Sequence, residues 1–337
     1  MKILDSFLFS ETYEKELLLL KLELEDAGVD EWLLLENAYS FQGAYTGLHA
    51  KALLDADPRF NRFRHKISII SKEEKTELIP KHQFMDHLSF KVEYWQRDLA
   101  YDYFMQHYGA DDWVMISDVD EMIDFSDPGR RSELLEKMQQ SPNGLVVFPT
   151  RRFWYDFDNA YHYLIGNAMC SKKYLADTGK QLHDVRAENR RVMYKGWKNT
   201  IAFEYSSCYS ADFIIRKFYT STHTGYTPND LRKALRCNQR TPSENATWKT
   251  ENNKYFFFET VPLTPRNSPA AVRNNLAYFK TNSVDPDYKR NRRADYPELF
   301  SAMYYIREYK GRWQRFYQKK MKGLKYKVGK LLGGEES

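Results

Sequence analysis

Three carboxylates lie within four residues, directly after a short apolar segment. Residues 113–117 (Trp-Val-Met-Ile-Ser) suit a buried strand, and Asp118, Asp120 and Glu121 follow them. Oxygen ligands of this kind are preferred by Mg²⁺ and Mn²⁺, which usually keep coordination positions open for substrate phosphates. Where the strand bends into a loop, Asp118 and Asp120 can converge on one such ion. The alternative is that these acids cap the next helix, because Asp is a favoured N-cap residue.

The elements around this motif predict a sheet edge that collects polar residues. Strands are predicted at residues 3–9, 32–35, 66–70 and 113–118, with helices at residues 12–27 and 87–107. Strands that alternate with helices indicate an α/β fold with a mostly parallel central sheet. Ligands of such sheets bind beyond the carboxyl ends of the strands. Residues 10–11, 36–37 and 118–120 all follow predicted strands, so we expect one shared site.

The second half of the chain is less regular. Further strands are predicted at residues 145–150, 161–171 and 202–209, a helix at 228–238 and a long surface loop at 241–267. We therefore divide the chain into a catalytic domain (1–240), a loop with helices packed on it (241–308) and a basic amphipathic tail (309–337).

Composition narrows the class of protein. A chain of 337 residues with 25 Tyr, 21 Phe and 7 Trp can form a substantial core and broad aromatic surfaces suited to sugars, and it is not typical of disorder. The three cysteines lie far apart without a CxxC pair, which favours a reducing compartment. Neither a signal peptide nor a segment long enough to span a bilayer is evident. We expect a cytoplasmic location, peripheral on the inner face of a membrane.

Other classes with similar acidic motifs fit less well. Phosphatases of the haloacid dehalogenase type place Asp-x-Asp after their first strand, whereas three predicted strands precede Asp118 here. A metal-dependent phosphohydrolase is therefore disfavoured by the position of the motif. An EF-hand loop requires a further ligand and then Gly, and Met122 interrupts that pattern. The remaining arrangement is that of nucleotide-sugar transferases, in which a metal held by Asp-x-Asp bridges the donor diphosphate.

Four segments resemble glycosyltransferase family seventeen, whose animal member adds the bisecting N-acetylglucosamine to the core β-mannose of N-glycans. The first is the opening strand and helix, residues 3–11 and 17–24. The second, residues 36–43, is similar to the family's Glu-Ser-x-x-Thr-Phe-x-Gly. The third is Gln-Arg-Asp at 96–98 with Asp-Val-Asp-Glu at 118–121. The fourth, residues 221–226, is similar to Gly-Trp-His-x-Ser-Tyr, with Ser221 and Thr222 in place of Gly-Trp.

This resemblance implies a glycosyltransferase A-type nucleotide-binding fold with a C-terminal helical extension. It further implies metal-dependent, inverting transfer of N-acetylglucosamine from UDP-GlcNAc to a glycan hydroxyl, in surface polysaccharide or glycolipid synthesis. The acceptor would be an oligosaccharide or a lipid-linked glycan. Two alternatives stay open: a transferase of the same fold that uses UDP-galactose or UDP-glucose, and a non-catalytic glycan-binding protein.

The metal predicted for this site is Mn²⁺ or Mg²⁺, which would stabilise the leaving diphosphate as a Lewis acid. We expect Asp120 to bind the ion directly and Asp118 to touch the ion or the ribose hydroxyls. Glu121 would orient these two ligands. By the resemblance, His223 supplies a more distant third ligand, and the alternative is an ordinary hydrogen-bonded histidine in a loop.

Donor binding is predicted for the polar residues at the neighbouring strand ends and for Asp118. Arg97 can clamp a diphosphate with its planar guanidinium, or it can form a helix-surface ion pair with Glu93, four residues earlier. Glu36 and Asn37 can reach the uridine, or they can cap a loop. Glu11 follows the first strand and belongs to the same predicted group.

Inverting transfer also requires a carboxylate that takes the proton from the acceptor hydroxyl. The candidates are Asp184 and Glu188 in a loop-like segment, and Asp156 among aromatic residues that can stack on a sugar. The alternative for each of them is a solvated structural acid.

The tail carries a separate signal. Between residues 310 and 332 there are nine basic residues and no acid, with apolar residues at three- and four-residue steps. A basic amphipathic helix of this kind suits an anionic membrane surface, and its alternative is a helix docked on the body of the protein. Nucleic acid is not expected as a partner, because the tail lacks a recognisable reading motif.

Overall fold

The computed structural model describes residues 1–10, 12–75, 88–161, 164–189, 196–210, 213–214, 216–217 and 258–283. Glu11, His223, the predicted 228–238 helix, most of the predicted 241–267 loop and the basic tail lie outside these residues. The predictions for those segments and for the domain boundaries stay predictions.

The first part of the chain alternates strands and helices, as its apolar pattern predicts. Its elements are β1 (Ile3–Leu8), α1 (Lys15–Glu25), β2 (Glu31–Asn37), α2 (Ala50–Ala56), β3 (Ile67–Lys72), α3 (Leu88–His107) and β4 (Trp113–Asp118). Short 3₁₀ turns lie at Thr12–Glu14, Pro58–Phe60 and Arg64–Lys66. Every residue of β1 is buried, and so are six of the seven in β2, which is characteristic of central strands covered on both faces.

Within the described residues, the second part adds six strands and five helices. Its elements are β5 (Glu121–Ile123), α4 (Pro128–Gln140), β6 (Leu145–Trp154), β7 (Asn159–Tyr161), β8 (Ile165–Ser171), α5 (Lys172–Thr178), α6 (Leu182–Asn189), β9 (Ala202–Ser206), β10 (Phe258–Thr260), α7 (Ala270–Asn274) and α8 (Leu276–Ser283). Helix α4 begins at Pro128 because the Asp127 side chain accepts from two backbone N–H groups of its first turn. The loop-like interpretation of the segment around Asp184 and Glu188 is wrong, since α6 occupies it.

The ten strands of the described residues form one sheet, with the order β10-β7-β6-β8-β4-β1-β2-β3 and with β9 joining β5 to β6. Strands β4, β1, β2 and β3 are parallel to their neighbours in that group. Strand β8 is antiparallel to both β4 and β6, and β7 is antiparallel to β6 and β10. The α/β class is confirmed, and the sheet is mixed, whereas a mostly parallel sheet was expected.

The strand order reverses at β1. Strands β2 and β3 extend the sheet on one side of β1, and β4 lies on its other side, in register from Ile3 with Trp113 to Leu8 with Asp118. In open α/β sheets, ligands bind in the crevice at the carboxyl ends of the two strands where the order reverses. Asp118 is the last residue of one of those two strands.

The core is divided between the faces of the sheet because successive strand residues point to opposite sides. Phe7 lies in one buried cluster with Leu22 of α1, whereas Leu8 lies in another with Phe104 of α3. A third cluster packs around β6 and β9. No helix of the described residues is both long enough and apolar enough to cross a membrane.

Candidate active site

Asp118 is held by two arginines that come from different helices. Its Oδ1 accepts a hydrogen bond from Arg97 Nη2 of α3 at 2.6 Å, and its Oδ2 accepts one from Arg186 Nη2 of α6 at 2.6 Å. Helix α6 is fixed against α3 by Asp98, whose Oδ2 lies 2.5 Å from His183 Nδ1. Burial alone would lower the pKa of His183, but Asp98 raises it above the usual value. The two helices thereby orient the Asp118 carboxylate at the end of β4.

Glu121 contacts Asp118 and is fully buried. Its carboxylate accepts two hydrogen bonds from Arg186, at 2.6 and 2.9 Å, and one from the backbone N–H of Asp118 at 3.2 Å. Burial opposes the charge of Arg186, yet Asp118 and Glu121 together raise its pKa well above the usual value. Asp118 and Glu121 therefore share the guanidinium of Arg186. Glu121 also restrains the backbone of Asp118.

Asp120 belongs to a second charged group on the same turn. Its Oδ2 lies 3.1 Å from Lys217 Nζ, and that ammonium also lies 3.9 Å from Glu14 Oε1. Glu14 ends the 3₁₀ turn that follows β1, and it accepts hydrogen bonds from the backbone and hydroxyl of Ser10. Burial raises the pKa of Glu14 to about 7 and also raises the pKa of Asp120, against the opposing effect of Lys217.

The buried Lys21 contacts both ends of the turn that carries Asp118 and Asp120. Lys21 Nζ lies 2.5 Å from Asp5 Oδ2 and 3.0 Å from Glu25 Oε1, with all three side chains inaccessible to solvent. The same ammonium donates to the Ser117 hydroxyl at 3.0 Å and to the backbone carbonyl of Glu121 at 2.6 Å. Helix α1 therefore holds the end of β4 and the start of β5 through a single side chain.

Arg97 uses its N–H groups within the protein. Its Nε and Nη2 donate to Glu93, its Nη1 donates to the Ser117 carbonyl at 2.9 Å, and Nη2 also donates to Asp118. Only 3% of the side chain is exposed. The pairing with Glu93, which was one of the two alternatives, is present with a buried guanidinium, and in this structure Arg97 positions Asp118.

Glu36 and Asn37 make contacts of the capping kind. Glu36 Oε2 accepts from the two backbone N–H groups at the start of α2, at 2.9 and 3.0 Å, and Oε1 accepts from Ser71. The Asn37 amide donates to the carbonyls of Tyr39 and Glu74. These contacts are those of the capping alternative, and a role in uridine binding stays a prediction.

The three candidate bases lie in different surroundings. Asp184 accepts from the backbone N–H of Gln181 at 3.1 Å and lies 3.2 Å from His183 Nε2, while Glu188 pairs with Lys180 near the surface. Asp156 is 2% exposed, and its Oδ1 accepts from its neighbour's backbone N–H at 2.7 Å. Asp156 Oδ2 also lies 3.6 Å from Lys280 Nζ. Strand β9 links the segment of Asp156 to Asp120, because the Tyr155 N–H donates to the Ser206 carbonyl at 3.2 Å and the Tyr205 N–H donates to the Asp120 carbonyl at 2.8 Å.

A divalent cation suits this site in ligand chemistry. Asp118 and Asp120 offer carboxylate oxygens, which are the kind of ligand that Mg²⁺ and Mn²⁺ prefer. Among the described residues, no three His, Cys, Asp or Glu side chains are preassembled as a metal centre. Asp120 and the exposed edge of Asp118 are the residues that would hold the ion.

Four residues that contact the site acids or hold their turn were not identified from the sequence. Lys21 lies in the middle of a leucine run, and a charge at a position buried in this way must be paired. Arg186 follows Val185, which is buried, and an apolar neighbour is a weaker indication that a charged side chain is buried and paired. The local sequence does not distinguish Glu14 and Lys217 from surface charges.

No protein-family model matches the chain. No curated protein is significantly similar to it. Functional assignment therefore depends on the geometry of the site and on the motifs that it contains.

Proposed function

We propose that the chain is a glycosyltransferase of the A type, which transfers N-acetylglucosamine from UDP-GlcNAc to a glycan hydroxyl with inversion and depends on Mn²⁺ or Mg²⁺. The acceptor proposed is an oligosaccharide or a lipid-linked glycan. The resemblance to glycosyltransferase family seventeen supports the choice of donor.

One observation carries the proposal. Asp118 and Asp120 lie at the carboxyl end of β4, next to the end of β1, where the order of the parallel strands reverses. This is the position at which open α/β sheets bind their ligands, nucleotides among them. Carboxylate oxygens at that position suit a divalent ion that carries a diphosphate.

Each residue of the site would have a distinct role in the transfer reaction. The ion, when bound, would neutralise charge on the departing diphosphate. Arg97 and Arg186 hold Asp118 in a fixed orientation, and Glu121 restrains its backbone. Asp156 is the candidate base that we favour, since it is buried and its segment is linked to Asp120 through β9, whereas Asp184 and Glu188 lie on α6.

Slow hydrolysis of the donor in the absence of acceptor tests this function. The protein is incubated with UDP-GlcNAc, UDP-galactose, UDP-glucose, GDP-mannose and CMP-sialic acid in Mn²⁺, and release of the nucleotide is followed. We expect release from UDP-GlcNAc, its loss in EDTA, and its loss in Asp120→Ala.

The alternatives give different results in the same assay. Faster release of nucleotide from UDP-galactose or UDP-glucose would favour the alternative in which a transferase of the same fold uses that donor. Absence of release from every nucleotide sugar, together with glycan binding, would favour the non-catalytic binding protein and contradict the proposal.

A further inference from the structure

The cations of the site differ in how far a ligand can reach them. The side chains of Arg97 and Arg186 are 3% and 7% exposed, whereas that of Lys217 is 29% exposed. A phosphate group that enters the crevice would therefore meet Lys217 more readily than either arginine.

The arginines are also engaged with the protein itself. Arg97 donates to a carbonyl and to two carboxylates, and Arg186 donates to the Ile116 carbonyl, to Glu121 and to Asp118. Each guanidinium is held by three groups of the protein, one of them a backbone carbonyl, and is almost wholly buried. These contacts assign the two arginines to holding Asp118.

Lys217 lies across the crevice in which ligands of such sheets bind. Its ammonium lies between Glu14, on the turn after β1, and Asp120, on the turn after β4. The Tyr209 ring packs 5.3 Å from the same nitrogen, and its buried hydroxyl has no hydrogen-bond partner among the described residues. A cation and a phenol therefore meet at the point where the nucleotide of the proposed donor would place its phosphates.

We propose that Lys217 binds the donor diphosphate directly, exchanging its contacts with Asp120 and Glu14 for phosphate oxygens when the nucleotide enters. This inference depends on the proposed function and adds a residue that the sequence did not indicate. A lysine ammonium on a flexible stem is suited to such an exchange. Departure of the ammonium also frees the Asp120 carboxylate for a divalent ion.

The test compares UDP with uridine, because only UDP carries the phosphates. Affinities are measured by calorimetry, with and without Mn²⁺, for the wild type, Lys217→Met, Lys217→Arg and the control Lys66→Met. Lys66 is an ion-paired lysine of similar exposure, 2.9 Å from Asp26, at the opposite end of the sheet. Loss of a charge-assisted hydrogen bond predicts that Lys217→Met binds UDP about tenfold or more weakly.

Uridine should bind Lys217→Met and the wild type with affinities within about twofold, since the nucleoside lacks the charge that Lys217 contacts. Lys217→Arg should retain most of the affinity for UDP, and Lys66→Met all of it. Equal affinities of the wild type and Lys217→Met for UDP would overturn the role of Lys217, as would an equal loss for UDP and uridine. A wild type that binds no UDP would instead refute the proposed function.

Discussion

Glu14 is a carboxylate of the site whose ionisation depends on burial. Its pKa is raised from 4.5 to about 7 by desolvation, with Asp120 adding to the effect and Lys217 and Ser10 opposing it. With a pKa of about 7, the Glu14 carboxyl is divided between its protonated and its ionised form near neutral pH. The charge of the crevice between β1 and β4 is therefore sensitive to pH in the neutral range.

Replacement of Glu14 by Gln should change how stability depends on pH. Because the folded state binds the proton more tightly than the unfolded state, the contribution of Glu14 to wild-type stability is complete below pH 4.5, falls as pH rises to about 7 and is then absent. A raised pKa of this size corresponds to about 3 kcal/mol. Glu14→Gln should lack this decrease when urea unfolding is measured across that range in EDTA. Parallel stability curves for the two proteins would show that Glu14 titrates normally.

At this scale the sequence indicated the acids and not their partners. Asp118 and Asp120 were identified because an apolar strand precedes them, and a strand end is a local property. Lys217 is 97 positions away from Asp120 along the chain and meets it only in the folded protein. A contact of that kind leaves no periodic pattern, so the sequence could not supply it.

At the scale of elements, Lys21 joins four parts of the fold. It contacts Asp5 of β1, Glu25 of its own helix, Ser117 of β4 and the backbone carbonyl at the start of β5. The pKa of Glu25 is raised well above its usual value by burial and by Asp5. The ammonium therefore compensates charge that would otherwise be buried without a partner.

Lys21→Met should destabilise the protein strongly, because it leaves buried carboxylates uncompensated. Removal of one partner of a buried ion pair typically costs about 3–5 kcal/mol. The partly exposed pair of Lys66 provides the control, since Lys66→Met should cost less than about 1 kcal/mol. Addition of Asp5→Asn to Lys21→Met should restore part of the loss. A cost below that of Lys66→Met in chemical denaturation would contradict the role assigned to Lys21.

The elements of the first half were predictable because their apolar residues follow one period over long segments. Helix α6 was not, since Leu182 and Val185 are the fully buried apolar residues of a short and otherwise polar segment. The antiparallel pairing of β8 with β4 was also missed, because pairing direction is set by how the chain returns to the sheet and not by the strand residues.

At the scale of the whole molecule, the site requires parts of the chain that lie far apart. The parallel strands supply the crevice, α3 and α6 supply the arginines, and the segment after β9 supplies Lys217. The two arginines and the lysine all contact acids of the turn after β4. A nucleotide that binds there should therefore stabilise the fold as a unit, because the unfolded chain offers no such site.

The most direct test of the nucleotide site is the thermal stability of the protein with UDP and Mn²⁺. Saturation to about 100 times the dissociation constant should stabilise the fold by about 2.7 kcal/mol, seen as a rise in Tm. GDP and CMP should raise Tm much less, Asp120→Ala should lose the UDP effect, and the exposed-site control Asp177→Ala should keep it. Equal shifts for all three nucleotides, or no shift with millimolar UDP, would contradict a UDP-sugar site at Asp118 and Asp120.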